Sequence, residues 1–546
     1  MDTELAEEVP LPPDQSEKPH SQDWKLPVVL ALLVAFLVLR SLIPMFAPRP
    51  DVFETATTRR LEALRAAKVA YYYHQYFLST SKVTGKSEGR RQDWEKDAIT
   101  KRYAVGRSKA GVAGDWRRLG ITVFLFHWQD GLASLRYATK VPESLSPPGK
   151  VKASRHRFFS EQADALPNVP KEEELALWEA IYGPNKLTQE EAKALLPTLR
   201  RLKLGWYEHV ATAHLYHKAG LFAEEELALE DADASTEAMA TLQSILWFFM
   251  FVGFLSVVWL SFLVVRRQQQ ATSASSVKVK PFLGGLPPPI IEYFAPLERG
   301  LTRFSYRARI YGFVTYMAAM LLIGVPFIPI KAMTQDWSSE ALVRLHLVLN
   351  LVLYVPVVGI ALWVLRRMAK GEGKLNSLPT LRSTLAALGF RVRRPLVEWG
   401  VSVWGYGLAI ALMTVAALIS DKLFRGVYTP ENDALTIATV LHTPLDRFLL
   451  FVVVVMAAPI VEELMFRGVF YRALRERWGV WPSVAMSAAI FAIVHPNLPG
   501  GFLPLWSLGA VFALTYERRS TLLPCILMHS LHNALVTLLQ FAVLAS

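Results

Sequence analysis

"FLLFVVVVMAAPIVEELMFRGVF", residues 448–470, decides how this chain folds. Its first fourteen residues carry no charge and read as membrane-embedded helix, yet Glu462, Glu463 and Arg467 follow without a break. A charged side chain near the centre of a bilayer costs about 3 kcal/mol or more, so such residues need partners and are functional by default. On a helix, Glu463 and Arg467 stand four apart and pair across one turn. Glu462 lies about 100° further round and is left without that partner. Pro459, one turn earlier, loosens the backbone hydrogen bonding, and Gly468 permits close helix approach. A structural ion pair inside the membrane is the plain alternative for these three.

The rest of the composition agrees with a membrane setting. The 546 residues are 52% hydrophobic and 19% charged, against about 25% charged in ordinary soluble chains. The net charge of +12 lies beside apolar spans, as topogenic loop charge does, and no nucleic-acid recognition motif accompanies it. The single cysteine, Cys525, can build neither a disulfide framework nor a cysteine-based metal site.

Working outward, the expected fold is all-α: a polytopic membrane protein of about nine transmembrane helices with an inserted soluble helical domain. Residues 1–24 read as a disordered tail and 25–48 as an uncleaved anchor. Residues 49–240 read as the soluble domain, with "LGWYEHVATAHLYHKAGLFAEEELAL" resembling a tetratricopeptide helix pair without a recurring 34-residue period. Residues 241–394 carry further spans and basic loops, and 395–546 form the core. The spans fall at 242–265, 309–331, 341–365, 399–420, 446–470, 481–495, 502–516 and 521–545, with a flexible basic linker between the first two. Loops 266–309 and 366–394 hold eight Lys/Arg each, whereas 421–446 holds two. The basic loops therefore face the cytoplasm. That places the N-terminus inside and residues 50–238 on the extracytoplasmic side.

Two further polar groups interrupt the last spans. His495 closes "SAAIFAIVHPN". If 446–470 and 481–495 form an antiparallel hairpin turning near "RERWGVWP", Glu462 and His495 lie level, since their midpoint falls in the turn. In "LMHSLHNAL", His529 and Asn533 share one face, with His532 beside them as packing or support. The three groups can converge on one polar cavity opening towards the cytoplasm. A glutamate there can take a proton from water, and a histidine and an amide can stabilise an oxyanion.

"EELMFR", "FAIVH" and "HSLHN" match, in order and spacing, the EExxxR, FxxxH and HxxxN motifs of the CPBP family. That family comprises the CAAX prenyl endopeptidases and their bacterial relatives, the glutamate intramembrane proteases. The resemblance covers about residues 395–546. It implies that Glu462 with His495 activates water, that His529 and Asn533 bind the oxyanion, and that Glu463 and Arg467 support the site. It implies no cofactor; zinc held by Glu462, His495 and His529 is the second mechanism. The expected partners are the lipid bilayer and a membrane-embedded or lipidated peptide substrate, with no nucleic acid. The expected location is a bacterial inner membrane. The rival functions are a catalytically silent scaffold or immunity-type protein and a proton-relay transporter, the latter without the inverted repeats a transporter would show. In the domain before the core, His209, His214 and His217 read as helix surface rather than as a metal site.

Overall fold

The computed structural model describes residues 60, 62–72, 85–107, 113–126, 131–140, 169–274, 304–322, 339–372, 378–392, 394–424, 443–495 and 497–544. The expected tail and first anchor, and most of the basic linker, lie outside these residues. The described chain is all-α, and the protein is a polytopic membrane protein. Five described helices are long and apolar enough to cross a membrane: Phe222–Phe262, Ala341–Gly371, Pro395–Leu423, Pro444–Trp478 and Leu523–Val543. Shorter helices at Tyr306–Leu322, Val480–Ile493 and Phe502–Arg519 pack among them.

The motif stretch lies in the Pro444–Trp478 helix, henceforth the motif helix. Its start is fixed by Thr443, whose hydroxyl accepts from the Asp446 amide at 3.2 Å. Asp446 is fully buried there, held by Arg344 through two bonds of 2.5 and 2.8 Å. An aspartate in the first helical turn also complements the helix dipole. At the other end the chain reverses at Gly479, whose φ of +75° suits a residue without a Cβ. The Val480–Ile493 helix then runs back beside it, as the expected hairpin requires.

One boundary differs from the expectation. The soluble domain does not end before a separate span; a single helix, Phe222–Ala274, runs from one into the other and through Arg266–Ala274, where the linker was expected to begin. The composition changes near residue 242, but no Gly or Pro interrupts 222–252. Helix propensity therefore carries the backbone through the change of solvent. The apolar half keeps its aromatics outward: Trp247, Phe251, Phe254 and Trp259 are each about 60% exposed. Lipid makes that surface favourable where water would not.

The preceding helices have a core of their own, with Trp178, Trp206, Tyr71 and Leu215 buried at its centre. Its buried charges are paired: Arg117 grips Glu174 at 2.6 and 2.7 Å, and Trp178 donates to the same carboxylate at 2.9 Å. The three histidines face three separate partners: His209 Asp231, His214 the Tyr182 hydroxyl and His217 Glu225. The 62–72 helix sets this domain on the far end of the Leu523–Leu544 helix. Leu64 and Val69 pack with Ala542 and Val543, and Lys68 donates to the Ala542 carbonyl at 3.3 Å.

Burial lowers Lys68 to about 8 from its ordinary 10.5. Between those two values the unfolded chain binds the extra proton, so wild-type stability rises with pH across that window. Lys68→Met removes the titration. The difference in melting temperature, Met variant minus wild type, is therefore expected to fall as pH rises from 8 to 10. A difference that stays constant over that range would refute a buried, titrating Lys68.

Candidate active site

The motif helix is not regular around its charges. The turn Ala458–Glu463 is α-helical, but wider π-helical turns flank it at Val452–Ala457 and Leu464–Tyr471. Pro459 has no N–H to give, so an interior bond is lost there. Such π turns recur at functional sites because they re-aim side chains and free backbone carbonyls.

Glu463 and Arg467 are both completely buried. Arg467 donates to Glu463 at 2.8 Å and to the Gly509 carbonyl at 3.2 Å. Its guanidinium also lies over the rings of Phe491, at 4.5 Å from the centroid, and Phe512, at 5.1 Å. Cation–π contact of this kind strengthens as water is excluded. The neighbouring helices come close because they are glycine-bearing: a Cβ on Gly509 would stand 3.2 Å from Ala488 Cα, and one on Gly468 3.0 Å from the Leu388 carbonyl.

The third motif joins the first directly. His529 Nδ1 lies 2.9 Å from Glu463 Oε1, so Glu463 serves Arg467 and His529 together. The sequence reading set His529 opposite Glu462; its hydrogen bond goes to the neighbouring carboxylate. Asn533 donates to the Val454 carbonyl at 2.8 Å, within the first π-helical stretch. That carbonyl lies eight residues before Glu462, about 12 Å along the axis. His532 turns to the Tyr406 hydroxyl at 3.4 Å, on the packing side.

His495 Nδ1 lies 2.6 Å from the Phe491 carbonyl of its own helix. A bond from Nδ1–H to a carbonyl leaves Nε2 as the acceptor nitrogen. Glu462 is half-buried, and its Oε2 is sealed from solvent without a hydrogen-bond partner among the described residues. The titratable groups around it include His495 and two phenols that the motifs do not include, Tyr316 and Tyr354. Sequence reasoning missed both. A tyrosine in an apolar helix carries no spacing signal, and only its register against the motif helix betrays it.

Among the described residues, no three of His, Cys, Asp and Glu are grouped to hold a metal ion. The geometry thus places a carboxylate engaged by Arg467 and His529 through one oxygen, Oε1, beside a carboxylate with no partner among the described residues.

A sequence model of the family described as type II CAAX prenyl endopeptidase Rce1-like matches residues 444–535. That segment is Rce1-like. It holds all six motif residues: Glu462, Glu463, Arg467, His495, His529 and Asn533. The chain is 27% identical over 144 residues to "Putative membrane peptidase YdiL" of Bacillus subtilis, covering 26% of this chain and 56% of that protein. It is 25% identical over 120 residues to "UPF0177 protein YbdI" of Lactococcus lactis, covering 21% of this chain and 65% of that protein. The chain thus spans less than two thirds of the length of the curated relatives it matches. No solved structure matches. The Rce1-like segment lies within an integral, multi-pass membrane protein.

Proposed function

We propose that the protein is an intramembrane endopeptidase in which Glu462, with His495, activates water for attack on a peptide bond. The observation that carries this reading is the division of labour between two adjacent carboxylates. Glu463 is fully buried and its Oε1 is engaged by both Arg467 and His529, whereas the half-buried Glu462 carboxylate has no hydrogen-bond partner among the described residues. A carboxylate so left is available to hold a water and take its proton.

In the proposed reaction Glu462 accepts a proton from water, and the oxygen attacks the scissile carbonyl carbon. The resulting oxyanion accepts a hydrogen bond from His529 Nε2–H, while Asn533 holds the Val454 carbonyl of the motif helix. Since the Nδ1–H of His529 is committed to Glu463, this role uses the imidazolium form. Collapse breaks the C–N bond, and the leaving amine takes the proton back from Glu462. His495 orients the water through Nε2. No metal is used.

The proposed substrate is a membrane-embedded or lipidated peptide, as the likeness to the prenyl endopeptidase family suggests. The basic loops support a cavity opening to the cytoplasm, a cytoplasmic N-terminus and an extracytoplasmic 50–238 domain. A bacterial inner membrane fits that arrangement and the bacterial relatives.

The test compares protein fragments in membranes from cells making wild type or Glu462→Gln. At least one membrane-protein fragment is expected to disappear in the variant, with turnover of its parent down by a factor on the order of 10²–10⁴, as loss of a general base implies. Identical fragment patterns would overturn proteolysis and leave a binding scaffold. Turnover by the purified protein is expected to survive a strong chelator; loss that zinc restores would instead assign Glu462, His495 and His529 to a metal.

A further inference from the structure

One cluster in the helical domain before the membrane core gathers three arginines around a single carboxylate. Asp115 is its centre and is fully buried. Arg60, at the head of the 62–72 helix, takes both carboxylate oxygens, Nε to Oδ1 at 2.9 Å and Nη2 to Oδ2 at 2.7 Å. Arg102, on the Gly85–Gly106 helix, stands 4.0 Å from Oδ1, beyond hydrogen-bond reach. Arg118 lies three residues on from Asp115 in the Ala113–Leu125 helix, hence on the same face.

Arg102 and Arg118 are left with neutral hydrogen-bond partners. Arg102 is only 2% exposed; its Nη2 donates to the Tyr207 hydroxyl at 2.9 Å, and its Nε is buried with no hydrogen-bond partner. Arg118 donates to the Gly114 carbonyl at 3.3 Å and forms no ion pair among the described residues. Gly114 makes room for it, since a Cβ there would stand 3.0 Å from Nη1. A phenol and a carbonyl leave both guanidiniums their full charge, and buried charge is costly unless an anion meets it. Burial first, and Arg102 next, pull Arg118 down to about 10 from its ordinary 12.5. Arg117 shows the closed alternative, for Glu174 meets it with both oxygens at 2.6 and 2.7 Å. The Arg60 side chain is 29% exposed and Arg118 half-buried, so the cluster opens to solvent on that side.

We propose that Arg102 and Arg118 form an oxyanion site for a phosphate-type dianion, with the Arg60–Asp115 pair as its fixed wall. Two guanidiniums without an ionic hydrogen bond match two negative charges, and their planar forks suit phosphate oxygens. The site lies outside the Rce1-like segment and is independent of the role of Glu462.

The test titrates inorganic phosphate into the purified full-length protein in detergent at constant ionic strength, read by calorimetry and by melting temperature. Wild type is expected to bind one phosphate per chain and to melt higher with it. Arg102→Gln and Arg118→Gln should each weaken binding by about tenfold or more, the scale of one charge-assisted hydrogen bond. Arg136→Gln removes an arginine 54% exposed on the same domain and should bind like wild type. Arg118 reaches only the carbonyl one turn back, so its variant keeps the fold and decides the matter alone if Arg102→Gln does not purify. Wild type that binds no phosphate at millimolar concentration overturns the site, as does binding that all three variants keep or lose equally. Succinate bound more tightly than phosphate would assign the site to carboxylates and overturn the phosphate class.

Discussion

Arg467→Met is expected to destabilise the membrane core by about 3–5 kcal/mol, the cost of removing one partner of a buried ion pair. The size follows from what is stranded. Glu463 is wholly enclosed, and Arg467 supplies one of its two contacts, the other being His529. The guanidinium also fills the space between Phe491 and Phe512 and ties to the Gly509 carbonyl on the Phe502–Arg519 helix. Its loss therefore opens a cavity at a three-helix junction as well as leaving a charge unpaired. Arg467→Lys should recover little, because an ammonium lacks the planar fork that meets Glu463 and Gly509 together. Glu463→Gln combined with Arg467→Met should recover part of the loss, since no net charge is then left buried. Melting temperature in detergent reads all three. A single Met variant within about 1 kcal/mol of wild type would show that the pair is not buried as described.

The same junction explains how much was legible beforehand. Charges in an apolar run are conspicuous, so the Glu463–Arg467 turn and the hairpin reversing at Gly479 could be read from spacing alone. What spacing does not carry is which neighbour a side chain chooses. His529 lies level with both glutamates, and helix rotation, set by packing of Phe491 and Phe512, hands it to Glu463. The π-helical turns were equally hidden, because Pro459 announces a lost bond but not how the helix absorbs it. The continuous Phe222–Ala274 helix was split in the reading because hydropathy changes at a point where helix propensity does not.

That long helix gives the second large effect. It crosses the Pro395–Leu423 helix with Gly253 against Gly407, backbone to backbone. A Cβ on Gly253 would stand 2.1 Å from the Gly407 carbonyl oxygen and 2.8 Å from Ala411 Cβ; one on Gly407 would meet Val252 Cγ1 at 2.7 Å. Backbone atoms cannot rotate away, so even Gly253→Ala must part the helices, and Gly253→Val must part them further. Overpacking of this kind costs typically 1–3 kcal/mol, and the valine variant should reach or exceed the upper end. Parting them also pulls Phe249 from Tyr406, whose rings now lie 4.7 Å apart, and Tyr406 carries the hydroxyl that meets His532. Turnover should therefore fall along with stability, although Gly253 lies outside the motif segment. Gly359 provides the internal comparison, since a Cβ there meets nothing within 4 Å. Gly359→Ala should be neutral or stabilising by about 0.5–1 kcal/mol, the usual gain from removing a helical glycine. Should Gly253→Ala melt like Gly359→Ala, the two helices do not touch at these glycines, and the domain before the core is not locked to it in this way.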